Sequence, residues 1–362
     1  MNKLVYVIIL MSLNITFLCQ DNSFKNFKNV QSNCYCNTTE STPDAILKMD
    51  NNWELVNSLT APKTLSQLES SGVRYSESQI KLLLNWHLIS KSKDDTYKIE
   101  IPVFDSIRTS VLRQYSLRLS KELTELIKDN VINLKKALKK INREPNTYSI
   151  LFSYVLDGLV WDNLEADSLL PDYEITIKKP FWAGEYWLMY PKRKFSCGTN
   201  SISDKGYSIK VNWSEKAIPY MKPFVTRWDL LEKILNDLIT KNKVEDKEAI
   251  EVFGQFNIFN SNGNFTVPEI EENKSNDLSN ISRDISGIIN TFLTSKVDTG
   301  YLINEFALKD RKQAVIILYH EIMWDMLDIM ESDGLITKPA VFTDPEKSEA
   351  SDVSDLVIIT KK

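Results

Sequence analysis

The chain has only two histidines, His87 and His320, and four cysteines among its 362 residues. A Cys-His nucleophile would therefore have to pair Cys197 with one of two histidines far away in sequence. Zinc fares no better. Cys34-Tyr35-Cys36 with Cys197 far downstream matches no standard ligand spacing, so neither a metal nor a cofactor is expected. No glycine-rich phosphate loop and no Gly-x-Ser-x-Gly elbow occurs. Excess positive charge is missing too: the net charge is −5 and the pI near 5.4, which excludes the broad basic field that holds nucleic acid. Beyond residue 18 no apolar run approaches the roughly 20 residues of a membrane-spanning helix.

What is present begins with Met1-Asn2-Lys3, an apolar stretch from Leu4 to Leu18, and an abrupt return to polarity at Cys19-Gln20-Asp21. One cation, a short apolar run and a polar exit are the layout of a secretory signal over residues 1–19. The expected location is extracytoplasmic, secreted or periplasmic. Cleavage after Cys19 would leave Gln20 at the new terminus. The alternative is a lipoprotein signal with a lipid on Cys19, although Leu18 stands where that motif wants a smaller residue. Asn-x-Ser/Thr triplets at Asn37, Asn212, Asn264, Asn273 and Asn280 are glycan acceptors only in a eukaryotic host.

Residues 20–42 are polar, rich in Asn and Ser and without period, which predicts a flexible tether. Folded structure is expected from Pro43. Residues 64–104 then read as two short helices and a hairpin. Thr64 to Glu69 forms the first, Ser76-Glu77-Ser78-Gln79 opens the second with a capping-box pattern, and Tyr97 to Ile101 alternates as a strand. Residues 228–270 repeat the plan, through Trp228 to Ile239, Glu248 to Phe253, and strands around Phe256 to Phe259 and Phe265 to Val267. Ile101-Pro102 and Val267-Pro268 close the two hairpins.

This order resembles a winged helix-turn-helix domain, over about 45 residues in each half. The resemblance implies a fold and not DNA binding, because Lys81 is the one clear cation on Glu77 to His87. After each hairpin come long helical stretches, Asp105 to Lys140 and Asp277 to Phe306, and then an apolar helix bearing Trp161-Asp162 or Trp324-Asp325. The landmarks are offset by 166 residues at the hairpin and 163 at Trp-Asp, which points to a tandem duplication. The expected fold is α+β and mainly helical: a first half over 43–172, a β-rich aromatic connector over 173–219 and a second half over 220–362.

Two segments are candidate sites. The connector gathers Trp182, Tyr186, Trp187 and Tyr190 with Lys192, Arg193 and Lys194. Aromatic faces beside cations suit a protein, peptide or glycan ligand, while the same alternation fits rings that pack a core. The second is an acidic site of His320, Glu321, Asp325 and Asp328. His320-Glu321 begins like a helical His-Glu-x-x-His zinc motif, but Trp324 replaces the second histidine. Asp157, Asp162 and Glu165 mark a looser acidic stripe on the equivalent helix. The leading expectation is a non-catalytic extracytoplasmic binding or assembly protein. The alternatives are a secreted hydrolase using carboxylates near the Trp-Asp helices and, if residues 1–19 are no signal, a DNA-binding regulator.

Overall fold

The computed structural model describes residues 22–39, 41–193, 196–204, 206–272, 276–343 and 349–360. The expected signal over 1–19 with its Cys19, the cation Lys194 and the triplet at Asn273 lie outside them. Helix makes up 56% and strand 17%, so the fold is mainly helical α+β with several small sheets. No described helix is long and apolar enough to cross a membrane. The chain forms two compact units, Met1–Val111 with Pro171–Arg193, and Leu112–Leu170 with Lys194–Lys362.

The first unit begins with strand β1 (Gln31–Thr38). Residues 31–38 are therefore not a tether, despite their polarity. Main-chain pairing replaces an apolar pattern here: all eight residues pair antiparallel with β5 (Trp182–Met189). Helices α1 (Pro43–Leu47), α2 (Asn52–Ser58), α3 (Leu65–Ser70) and α4 (Glu77–Asn85) follow. Reciprocal capping boxes start α3 at Thr64/Gln67 and α4 at Ser76/Gln79, satisfying main-chain N–H groups that a helix start leaves open. The hairpin β2 (Ile89–Lys91) and β3 (Tyr97–Ile99) comes next, and Lys63 pairs back onto Tyr97. Leu55, Val56, Leu59, Leu68, Leu83 and Leu88 are wholly buried between these elements. Strand β4 (Val103–Phe104) then pairs parallel with β5, giving the order β1-β5-β4.

Helix α5 (Ser106–Lys140) runs 35 residues and enters the second unit at Leu112. In that unit, residues Ile150–Leu159 wind as a π-helix and continue into α6 (Val160–Ala166). Ser153 donates to the Ser149 carbonyl at 2.7 Å and Tyr319 to the Leu156 carbonyl at 2.7 Å, drawing two acceptors away from a regular α-helical ladder. Strands β6 (Cys197–Asp204) and β7 (Tyr207–Ser214) form a hairpin. Helices α7 (Trp228–Lys241) and α8 (Lys247–Phe253), short bridges at Lys243/Asn264 and Phe259/Phe265, and β8 (Glu269–Glu271) come after it. The expected single stretch from Asp277 is broken into α9 (Asp277–Lys296) and α10 (Thr299–Phe306), because the Asp298 side chain caps a new start by accepting from Tyr301 N–H. Helix α11 (Arg311–Ser332) precedes β9 (Ser354–Thr360), and the sheet order is β6-β7-β9-β8.

Both sheets follow one scheme. In each, a short strand after the hairpin pairs parallel with a final long strand that is flanked on its other side by an antiparallel long strand, β1 in the first sheet and β7 in the second, where β6 adds an extra strand outside β7. The expected connector is split accordingly. Its β5 belongs to the first sheet while β6 and β7 belong to the second, since each strand takes its hydrogen-bond partners from remote sequence. The compact units also depart from the expected halves: 112–170 cluster with the C-terminal residues. Phe152 explains part of this, with its ring centroid 4.9 Å from Trp324 and 5.2 Å from Phe342.

Candidate functional site

The aromatic segment is core. Every residue of β5 is buried, with Trp182 at 7% exposure, Tyr186 at 2%, Trp187 at 1% and Tyr190 at 8%. Trp182 donates to the Trp86 carbonyl at 2.7 Å and the Tyr186 hydroxyl donates to Asp44. Stacking needs an accessible ring face, and none of these four offers one. Of the two readings open for these rings, a ligand surface and a packed core, burial within the first unit fits the core. Lys192 is exposed and Arg193 half-buried; their main-chain N–H groups donate to the Asn29 carbonyl and the Gln31 side chain at 3.1 and 2.9 Å.

The acidic residues of α11 are individually engaged. Glu321 has no exposed surface and accepts from Arg113 Nε at 3.0 Å. Ser116 donates to Asp325 at 2.7 Å, and Asp328 receives Lys338 Nζ at 2.8 Å. His320 Nδ1 lies 3.7 Å from Glu321 Oε1. Arg113 and Ser116 are three apart on α5, and Glu321 and Asp325 four apart on α11, so matching helix faces bring the pairs together. Asp157, at a non-helical turn of the π-helix, accepts from Trp161 Nε1 at 2.9 Å. Burial pushes its carboxyl up, while Lys210, Trp161 and His320 pull it down. Lys210 lies against Gly158, where a methyl group would come within 3.6 Å of Nζ and 3.2 Å of the Ser153 carbonyl. These groups bind each other rather than face a cleft.

The described residues of the second unit form a groove and a pocket. A groove of about 730 Å³ runs along α5 and α9, with Leu126, Ile288 and Phe292 as apolar lining and Arg283, Asp284 and Lys296 as its charges. A pocket of about 480 Å³ is lined by Asn146, Phe256, Asn257, Phe259, Asn260, Thr266, Pro268, Val341, Ser351 and Asp355, among others. None of Asp157, Lys210, His320, Glu321 or Asp325 lines either one.

The pocket holds the better-defined chemistry. Asp355, the second residue of β9, stands opposite Asn212, whose amide donates to it at 3.2 Å, and Ser149 and the Leu356 N–H also donate. Burial nonetheless pushes the carboxyl up. Asn257, in the left-handed conformation, and Thr266 are joined by a Thr266 hydroxyl bond to the Asn257 carbonyl, which shapes the rim. Asn260 turns inward to accept from the N–H groups of Asn262 and Asn264 at 3.0 and 3.1 Å. Among the described residues no lysine or arginine lines the pocket. Asp355 gives no sequence signal of its own. It is one carboxylate in the alternating tail Ser354-Asp355-Leu356-Val357, and only pairing with β7 turns it toward Ser149.

No family model, curated protein or solved structure matches the chain.

Proposed function

We propose that the protein is a non-catalytic binding protein whose 480 Å³ pocket takes a neutral, polyhydroxylated ligand such as a sugar residue at the end of a glycan. The observation that carries this reading is Asp355: a carboxyl raised by burial on the wall of a pocket whose described lining residues include no lysine or arginine. An anionic ligand would find no counter-charge among the described lining residues. A carboxylate has about four acceptor positions, and three donors are already in place, which leaves one for a ligand hydroxyl. Asn146, Asn257, Thr266 and Ser351 add groups that both donate and accept.

Catalysis is disfavoured by the engagement of the other acids. A carboxylate pair for hydrolysis needs its two groups across a cleft from each other, whereas Glu321, Asp325 and Asp157 are tied to Arg113, Ser116 and Trp161. DNA reading is disfavoured by α4, where Lys81 lies 3.9 Å from Glu77. The shared strand scheme of the two sheets supports a duplicated winged-helix-like arrangement, with Pro102 equivalent to Pro268 and Trp161 to Trp324. The apolar stretch over Leu4 to Leu18 supports action outside the cytoplasm, and fractionation with N-terminal sequencing tests it.

Titration calorimetry with a panel of neutral mono- and disaccharides tests the pocket. Saturable binding by the native chain that is abolished in Ser351→Phe, a variant that fills the pocket from its half-exposed rim, is expected. Binding that survives Ser351→Phe, or heat only from anionic sugars, rejects it.

A further inference from the structure

We propose that Cys34 and Cys36 form a two-sulfur clamp for a soft, monovalent d10 cation, with Cu(I) as the working case. This site lies in the first unit and does not depend on the pocket of the second. Both residues stand on β1 two positions apart, so their side chains leave the same face. Cys34 is exposed and Cys36 half-buried, both are thiols, and the two side chains are hydrogen-bonded to each other.

The strand geometry favours a bridging cation over a direct sulfur-sulfur bond. Two residues along an extended strand rise about 6.8 Å. That is the upper end of the roughly 4.4–6.8 Å Cα separation that disulfides tolerate. β1 is also held fast in this shape. It pairs with β5 at every position, and Cys36 faces Gly184, whose missing Cβ would stand 2.2 Å from the Tyr35 carbonyl oxygen and 3.1 Å from Cys36 Cβ. Closing a disulfide would pull the strand out of register with β5, whereas a cation between the sulfurs leaves the backbone in place.

The surroundings select the type of ion. Thiolate pairs prefer soft cations, and no group of three or more His, Cys, Asp or Glu that could hold a metal exists among the described residues. A four-coordinate zinc site is therefore unsupported, while a two-coordinate cation needs nothing further. The neighbouring Asp44 carboxylate is matched by Lys48 Nζ at 2.9 Å and by the Tyr186 hydroxyl. Capture of one cation releases the two S–H protons to solvent and forms two metal–sulfur bonds, with no change in oxidation state.

The experiment is anaerobic competition for Cu(I) against bicinchoninate with the full chain. One Cu(I) per chain is expected, retained in Cys197→Ser and Cys19→Ser. Cys34→Ser and Cys36→Ser should each weaken it beyond the roughly 100-fold that changes around a metal's ligands cause. Circular dichroism of each variant confirms that the strand is intact, and Cys34→Ser alters only an exposed side chain. Failure of the native chain to take Cu(I), or equal affinity in Cys36→Ser, overturns the proposal. So does facile oxidation to a Cys34–Cys36 disulfide, found as a loss of two thiols by titration with the fold unchanged.

Discussion

Glu321, with no exposed surface on α11, is held 3.0 Å from the Nε of Arg113 on α5. The sequence separates them by 208 residues. A buried charge is tolerated only when paired, so this contact ties the long helix to α11 within the second unit.

Removing one partner should therefore cost far more than removing both. Arg113→Met is expected to destabilise by about 3–5 kcal/mol because Glu321 is left without its cation. The double variant Arg113→Met/Glu321→Leu should recover most of that loss. Urea denaturation of the native chain, Arg113→Met, Glu321→Leu and the double variant measures it, and equal losses in the single and double variants would show that the pairing contributes nothing.

Trp187 gives a second test. At 1% exposure on a strand buried on both faces, its replacement by Ala should cost about 3–5 kcal/mol. A loss under about 1 kcal/mol would mean that the ring has room to be something other than core.

Gly184 occupies φ +112, and a Cβ there would meet the Tyr35 carbonyl oxygen at 2.2 Å. Gly184→Ala is thus expected to separate β1 from β5 locally and cost about 3 kcal/mol or more. Hydrogen exchange should show faster exchange across β1 with the second unit's amides unchanged. Unaltered protection of β1 would contradict this geometry.

Asp355 sets a pH dependence. Its folded pKa lies above its unfolded value of about 3.9. Between the two values the folded chain binds more protons, so this group lowers stability as pH rises through that window. Below about pH 3.9 the penalty is absent. Asp355→Asn keeps an acceptor for Asn212 and Ser149 and removes the charge, so its stability relative to the native chain should increase as pH rises from about 4 to 7. Parallel melting curves of the two proteins across that range would refute the assignment.

Local chemistry was legible where caps and apolar period mark an element. Ser76 and Gln79 announce α4, Tyr97-Lys98-Ile99 announces its hairpin strand, and the apolar coverage of residues 315–330 announces α11. Cap and period are properties of neighbours in sequence, which the chain carries wherever it folds. β1 was illegible for the converse reason: Gln31–Thr38 is polar and gains its order from hydrogen bonds to residues 182–189. The triplet at Asn212 reads as a glycan acceptor until β7 pairs with β9 and buries its side chain entirely.

The same division applies to the sites. By itself the sequence determined a mainly helical α+β chain without a broad basic field or a familiar catalytic motif, because composition and periodicity suffice for those conclusions. Only the tertiary structure decided that the Trp182 to Tyr190 rings are core, that Glu321 belongs to Arg113, and that Asp355 borders a pocket. Burial and the meeting of groups distant in sequence follow from strand register and helix packing, and no local pattern of side chains specifies them.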